Sequence, residues 1–117
     1  MNKVFHLATC NTCKRIISEL RLAENFELQD IREKPITAED LSHMMSLAGS
    51  YEALFSRRSR QYAARGLKGK QLSENDYKTL ILEEDTFLKR PVVIIGESIF
   101  IGSSKSTIEA LKEKLGS

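Results

Sequence analysis

The chain has 117 residues, of which 41% are hydrophobic and 29% charged, with a formal net charge of +2. One domain's worth of sequence with this much apolar material can bury a core, which excludes a disordered segment, a collagen-like repeat and a miniprotein held by disulfides. No apolar run approaches the roughly 18 residues that a membrane span needs. The opening MNKVFHLATCNTCKR carries too short an apolar stretch for a secretory signal, so the expected setting is the reducing cytoplasm.

Taken in chain order, Lys3 to Leu7 reads as a short strand ending at the polar run from Ala8 to Asn11. From Asn11 the period changes. Cys13, Ile16, Ile17, Leu20 and Ala23 recur at helical spacing, with Lys14, Arg15, Ser18, Glu19 and Arg21 on the other side. Phe26, Leu28 and Ile31 then mark a second strand, so the chain opens β-α-β, a connection expected to cross over right-handedly. Thr37 is a candidate N-cap for a helix whose apolar face is Leu41, Met44, Met45 and Ala48, stopped by Gly49. Tyr51 to Ala64 is expected to be helical and to end at Gly66. Ser73 with Asp76 resembles a capping box ahead of a third helix, Glu74 to Glu84, with Tyr77, Leu80 and Ile81 inward. Pro91 introduces Val92-Val93-Ile94-Ile95, a run suited to a strand buried on both faces. Gly96-Glu97-Ser98 and Ile99-Phe100-Ile101 complete a hairpin, and a closing helix carries Ile108, Leu111 and Leu115. The order β-α-β, helices, β-β-α fits one layered α/β domain.

Only two cysteines occur, Cys10 and Cys13, three residues apart. A disulfide between them would close too short a loop to add much stability, so in a reducing compartment the pair points to redox or metal chemistry. The pair falls where a strand ends and a helix begins. The unpaired amides and partial positive charge of a helix N-terminus favour a thiolate over a thiol. Cys10 should sit at the exposed tip and Cys13 one turn in, beside Ile17 and Leu20. That arrangement suits an exposed nucleophile with a shielded resolving partner. Two ordinary unpaired thiols, or a zinc half-site, are the alternatives. The zinc reading lacks ligands, because His6 lies in a strand pattern and His43 in mid-helix.

Six basic residues and no acid lie between Arg57 and Lys70, whereas the rest of the chain, with twelve basic and sixteen acidic residues, is net −4. This stripe is a solvated helix face, an oxyanion pocket built on guanidinium forks, or a partner surface. Nucleic-acid binding is disfavoured, since Tyr62 is its only aromatic residue and no such motif surrounds it. Arg90-Pro91 before the apolar strand reads two ways. Arg90 holds an anion or a thiolate near the cysteines, with Pro91 fixing the chain's entry in either isomer, or the pair is a surface arginine before a strand-starting proline.

Four segments together, FHLATCNTCKRII, REKPITAEDL, SRRSRQYAARGL and FLKRPVVIIGESIFIG, resemble the ArsC/Spx family of thioredoxin-fold proteins, in the family's order and over nearly the whole chain. The resemblance implies a thioredoxin-like fold in one domain over residues 1–117, with a helical insertion at about 37–86 between the β-α-β and β-β-α halves. It implies that Cys10 is the nucleophile and Arg90 a catalytic neighbour beside a cis Pro91. The resolving role of Cys13 is what the residues themselves suggest, since the family's arsenate reductases often lack that cysteine and depend on external thiols. Arg58 matches the arginine of the Spx-type Thr-Arg-Ser segment, with Arg57 in the threonine position. Arg57, Arg58 and Pro91 are therefore candidate substrate-binding residues, and which arginine faces the sulfur is left open. Arsenate reductases of the family carry a further arginine after the hairpin, where this chain has Ile101-Gly102-Ser103-Ser104. The expected activity is that of a thiol-disulfide oxidoreductase acting on a small oxyanion such as arsenate or on a disulfide. It would hold no bound cofactor or metal, and would draw electrons from glutathione with glutaredoxin, or from thioredoxin. The other implied role is that of a redox-sensing regulator that binds RNA polymerase, to which Cys13 points.

Overall fold

The computed structural model of the chain describes residues 2–116. The chain forms two compact units: one contains the residues up to Lys34 and from Arg90 onward, the other is Pro35–Lys89.

In the first unit, β1 (Asn2–His6) lies between two strands of opposite sense. It pairs in parallel with β2 (Glu27–Asp30) and antiparallel with β3 (Val92–Ile95), which pairs in turn with β4 (Ser98–Ile101). The sheet order is β2-β1-β3-β4. Val4 stands opposite both Leu28 and Val93. The two-residue period therefore puts these three on one face and Phe5, Val92 and Ile94 on the other. On the first face Val4 and Val93 join Ile16 from α1 (Asn11–Glu19), Leu22, and Leu111 from α5 (Lys105–Leu115) in one buried cluster. Burying five such side chains supplies on the order of 10 kcal/mol toward holding both helices to the sheet. In the hairpin, Ile95 pairs with Ser98 across Gly96-Glu97. Gly96 has φ +59, as a II′ turn requires at its first central residue.

Two local readings differ from the sequence pattern. The helical period runs on to Ala23, but α1 stops at Glu19 and Arg21 takes a left-handed φ of 52°. The chain must reverse there to enter β2, and it is Leu22, not Ala23, that is buried after the reversal. In β2 the buried position is Gln29, at 5% exposure, while Leu28 is 37% exposed. Burial of the amide is tolerated because its Nε2 donates to the Lys34 carbonyl at 2.8 Å.

The second unit contains α2 (Ala38–Ala48), α3 (Arg60–Ala64) and α4 (Glu74–Glu83). Thr37 and Asp40 form a reciprocal capping box at the start of α2, and Ser73 and Asp76 form another at α4. Gly49 ends α2 with φ +96. The continuous helix expected from Tyr51 to Ala64 is absent. A single 3-10 turn, Glu52–Leu54, is followed by extended chain at Phe55 and then by the short α3, capped by Ser59. Phe55 forms an isolated bridge to Leu88, with Ser56 donating to the Phe87 carbonyl at 2.7 Å and Lys89 to the Leu54 carbonyl at 2.8 Å. The Phe55 ring stacks on Phe87 at 5.0 Å and meets Tyr77 at 4.9 Å. This long-range pairing and the aromatic core outweigh the local helical preference.

Candidate active site

The chain leaves β1 through Leu7 and turns at once, with the Cys10 amide donating to the Leu7 carbonyl at 3.0 Å. Cys10 is the N-cap of α1, and its Sγ accepts a hydrogen bond from the Cys13 amide at 3.4 Å. Serine, threonine, aspartate or asparagine usually fills that position; here a sulfur faces the free amides and the positive end of the helix. Cys10 is half-buried, whereas Cys13 is fully buried, and both are free thiols.

The two sulfurs differ in acidity. Partial burial pushes the Cys10 thiol up. Hydrogen bonds from the Cys13 amide and the Cys13 side chain, the positive charge of Arg90, and a hydrogen bond from the Thr12 amide outweigh it and leave Cys10 below the ordinary thiol value. Cys13 is pushed up to about 11, chiefly by burial and further by its bond to Cys10 and by the charge of that neighbour. A sulfur that gives up its proton more readily beside one that keeps it is the pairing that a dithiol attack needs.

Arg90 precedes a cis peptide bond to Pro91. The Pro91 carbonyl accepts from the Gly102 amide at 2.9 Å, which ties the start of β3 to the end of β4. The Arg90 charge acts on both cysteines. Its Nε is the one buried side-chain nitrogen or oxygen without a hydrogen-bond partner among the described residues. No group of three or more His, Cys, Asp or Glu among the described residues is placed to hold a metal ion.

Taken by itself, the second unit separates its two candidate arginines. The Arg57 guanidinium donates to Glu52 at 2.9 Å and to the Tyr77 hydroxyl at 2.9 Å, and lies 5.9 Å and 5.7 Å from the ring centres of Phe55 and Tyr77. Arg58 is exposed, and its side chain makes none of these contacts. Of the stripe's other cations, Arg65 is paired with Glu83 at 2.7 Å. Glu52 and Tyr77 were not legible as partners of Arg57, because a continuous helix through this region would have turned these groups elsewhere. Thr12 was missed for a different reason: only its backbone amide acts.

The profile of the ArsC family matches residues 5–111. No curated protein matches the chain at a significant level. Among solved structures, it is similar to a possible arsenate reductase from Streptococcus mutans, at 27% identity and a TM-score of 0.74, over 96% of this chain and 98% of that one. It is similar to an arsenate reductase from Vibrio cholerae at 16% identity and a TM-score of 0.76, over 95% of each chain. An ArsC-related protein from Bacteroides fragilis matches at 20% identity and a TM-score of 0.79, over 97% of this chain and 96% of that one. The mixed four-stranded sheet with five helices is the thioredoxin-like α/β arrangement of these structures. Fold, profile and matched length agree, and the chain belongs to the ArsC family.

Proposed function

We propose that the protein is a thiol-dependent oxidoreductase in which Cys10 is the nucleophile and Cys13 the resolving thiol. The observation that carries this reading is the sulfur at the helix N-cap, 3.4 Å from the Cys13 amide and made more acidic than an ordinary thiol beside a partner pushed up to about 11. With a disulfide substrate, the Cys10 thiolate forms a bond to one sulfur and the other leaves as thiolate. Cys13 loses its proton to solvent and attacks the Cys10 sulfur, releasing the second substrate thiolate. The substrate gains two electrons, and the protein is left with a Cys10–Cys13 disulfide.

With arsenate, Cys10 displaces a hydroxyl of arsenic(V). Attack by Cys13, or by an external thiol, on the Cys10 sulfur then breaks the sulfur–arsenic bond, and its electron pair leaves with arsenic(III). Glutathione with glutaredoxin, or thioredoxin, then reduces the disulfide left on Cys10, which joins it to Cys13 or to the external thiol. Arg90 supplies positive charge at the sulfur and balances the anion.

Turnover of arsenate and of a small disulfide, with each external reductant in turn, tests the reading. Cys10→Ser should abolish both activities, and Cys13→Ser, without an external thiol, should accumulate a mixed adduct on Cys10. Full activity in Cys10→Ser would end it. No turnover of either substrate, together with retention of purified RNA polymerase by the oxidised protein alone, would replace it with the regulator role.

A further inference from the structure

A cavity of about 440 Å³ runs along the first unit beside the cysteine helix, between α1 and β2. Its lining is mostly apolar, with Ala8, Ile17, Ala23 and Leu28 beside His6 and Ser18. Leu28 is one of only three large hydrophobic side chains exposed among the described residues. Lys14 and Arg21 stand on the rim with Glu24, so two cations face one carboxylate, and neither cation is ion-paired among the described residues. One end of the groove adjoins the reactive turn, because Ala8, two residues before Cys10, is part of its lining.

We propose that this groove docks the cysteine-bearing segment of a protein substrate. The segment is extended, with apolar residues next to its cysteine and an acidic residue about three positions away. The proposal rests on Cys10 being the attacking thiol. Three features define the occupant. From Lys14 to its end at Glu19, α1 rises about 7.5 Å, which an extended peptide covers in two to three residues, and Arg21 lies just beyond. β2 is an edge strand, paired only with β1, so an extended chain can lie along it. A mostly apolar lining with Arg21 at the far end suits leucine or valine side chains followed by a carboxylate.

The test uses four-residue peptides activated as thiopyridyl disulfides on their cysteine, mixed with the full chain carrying Cys13→Ser so that the reaction stops at the Cys10 adduct. The peptide cysteine–leucine–valine–glutamate should react about tenfold faster than cysteine–glycine–serine–glutamate or cysteine–leucine–valine–lysine, the gain of one well-placed contact. Leu28→Ser should remove the preference for apolar residues. Arg21→Glu should reverse the preference between glutamate and lysine. Both variants should react like the parent with thiopyridyl-activated cysteine alone. Equal rates for the three peptides, or preferences unchanged in both variants, would overturn the docking role. So would a stable dimer by sedimentation that Leu28→Ser converts to monomer, which would assign the groove to a second copy of the chain. If activated cysteine reacts no faster with this protein than with one lacking Cys10, the failure lies with the proposed nucleophile and not with the groove.

Discussion

The Cys13 amide is aimed at the Cys10 sulfur across 3.4 Å, so one residue both stabilises the neighbouring thiolate and holds the thiol that would later attack it. The two roles need opposite acidities, and the backbone supplies the difference. Cys10 caps the helix at its exposed start, where free amides favour charge, whereas Cys13 is packed inside the first turn, where charge is penalised.

The first prediction concerns Arg90, whose charge favours the Cys10 thiolate. Arg90→Met should move the midpoint of iodoacetamide labelling of Cys10 to higher pH, by up to about one unit, and should slow labelling at pH 7 accordingly. Arg90→Lys should recover part of the shift, since a point charge replaces the fork. The measurement is the rate of alkylation against pH in Cys13→Ser protein, where only one thiol reacts. An unchanged midpoint in Arg90→Met would remove Arg90 from the reactive environment.

Much of this arrangement was legible in the sequence because it is local. The change from strand to helical period at Asn11 places Cys10 at a helix start, and the helical spacing of Cys13 and Ile16, three positions apart, buries the second sulfur. The capping residues Thr37, Ser73 and Asp76 act within one turn of their own helices, so they too could be read in place. What could not be read depends on distant partners. Phe55 leaves the helical path because Leu88, thirty-three positions later, offers its backbone a bridge, and no window of local propensity contains that residue. Gln29 is buried because the chain curls back to bring the Lys34 carbonyl to its amide. The fate of Arg57 followed from the same break in the helix, since Tyr77 reaches it from α4.

Cys13 makes stability depend on pH in a defined direction. Its folded-state acidity is weakened, to about 11, from the roughly 8.5 of an exposed thiol in the unfolded chain. The folded state therefore holds this proton more tightly. The stabilisation is fully present below about pH 8.5 and is lost as pH rises through 11. Denaturant titrations of the reduced protein should show stability falling over that interval. Cys13→Val, which fills the site without a titrating group, should flatten this part of the curve. An equal slope in Cys13→Val would assign the loss to other groups.

The two neighbouring arginines of the second unit should separate cleanly. Arg57 is fixed by the Glu52 carboxylate and the Tyr77 hydroxyl and lies over two aromatic rings. Its ion pair is about half exposed, so Coulomb attraction is screened and contributes only about 0.2–1 kcal/mol. The ring contacts add about 0.5–1 kcal/mol at such a site. Arg57→Ala should therefore lower unfolding stability by about 1 kcal/mol, whereas Arg58→Ala, at an exposed side chain, should stay within about 0.5 kcal/mol of the parent. Activity should sort the other way. Arg58 makes no ion pair among the described residues, so it can meet an anion without giving up a partner, and Arg58→Ala should raise KM for arsenate while leaving the unfolding midpoint in place. Arg57→Ala should lower the midpoint and leave KM near the parent value at temperatures where the variant is folded. A raised KM in Arg57→Ala with an unchanged midpoint would show that Glu52 and Tyr77 do not hold that side chain in solution.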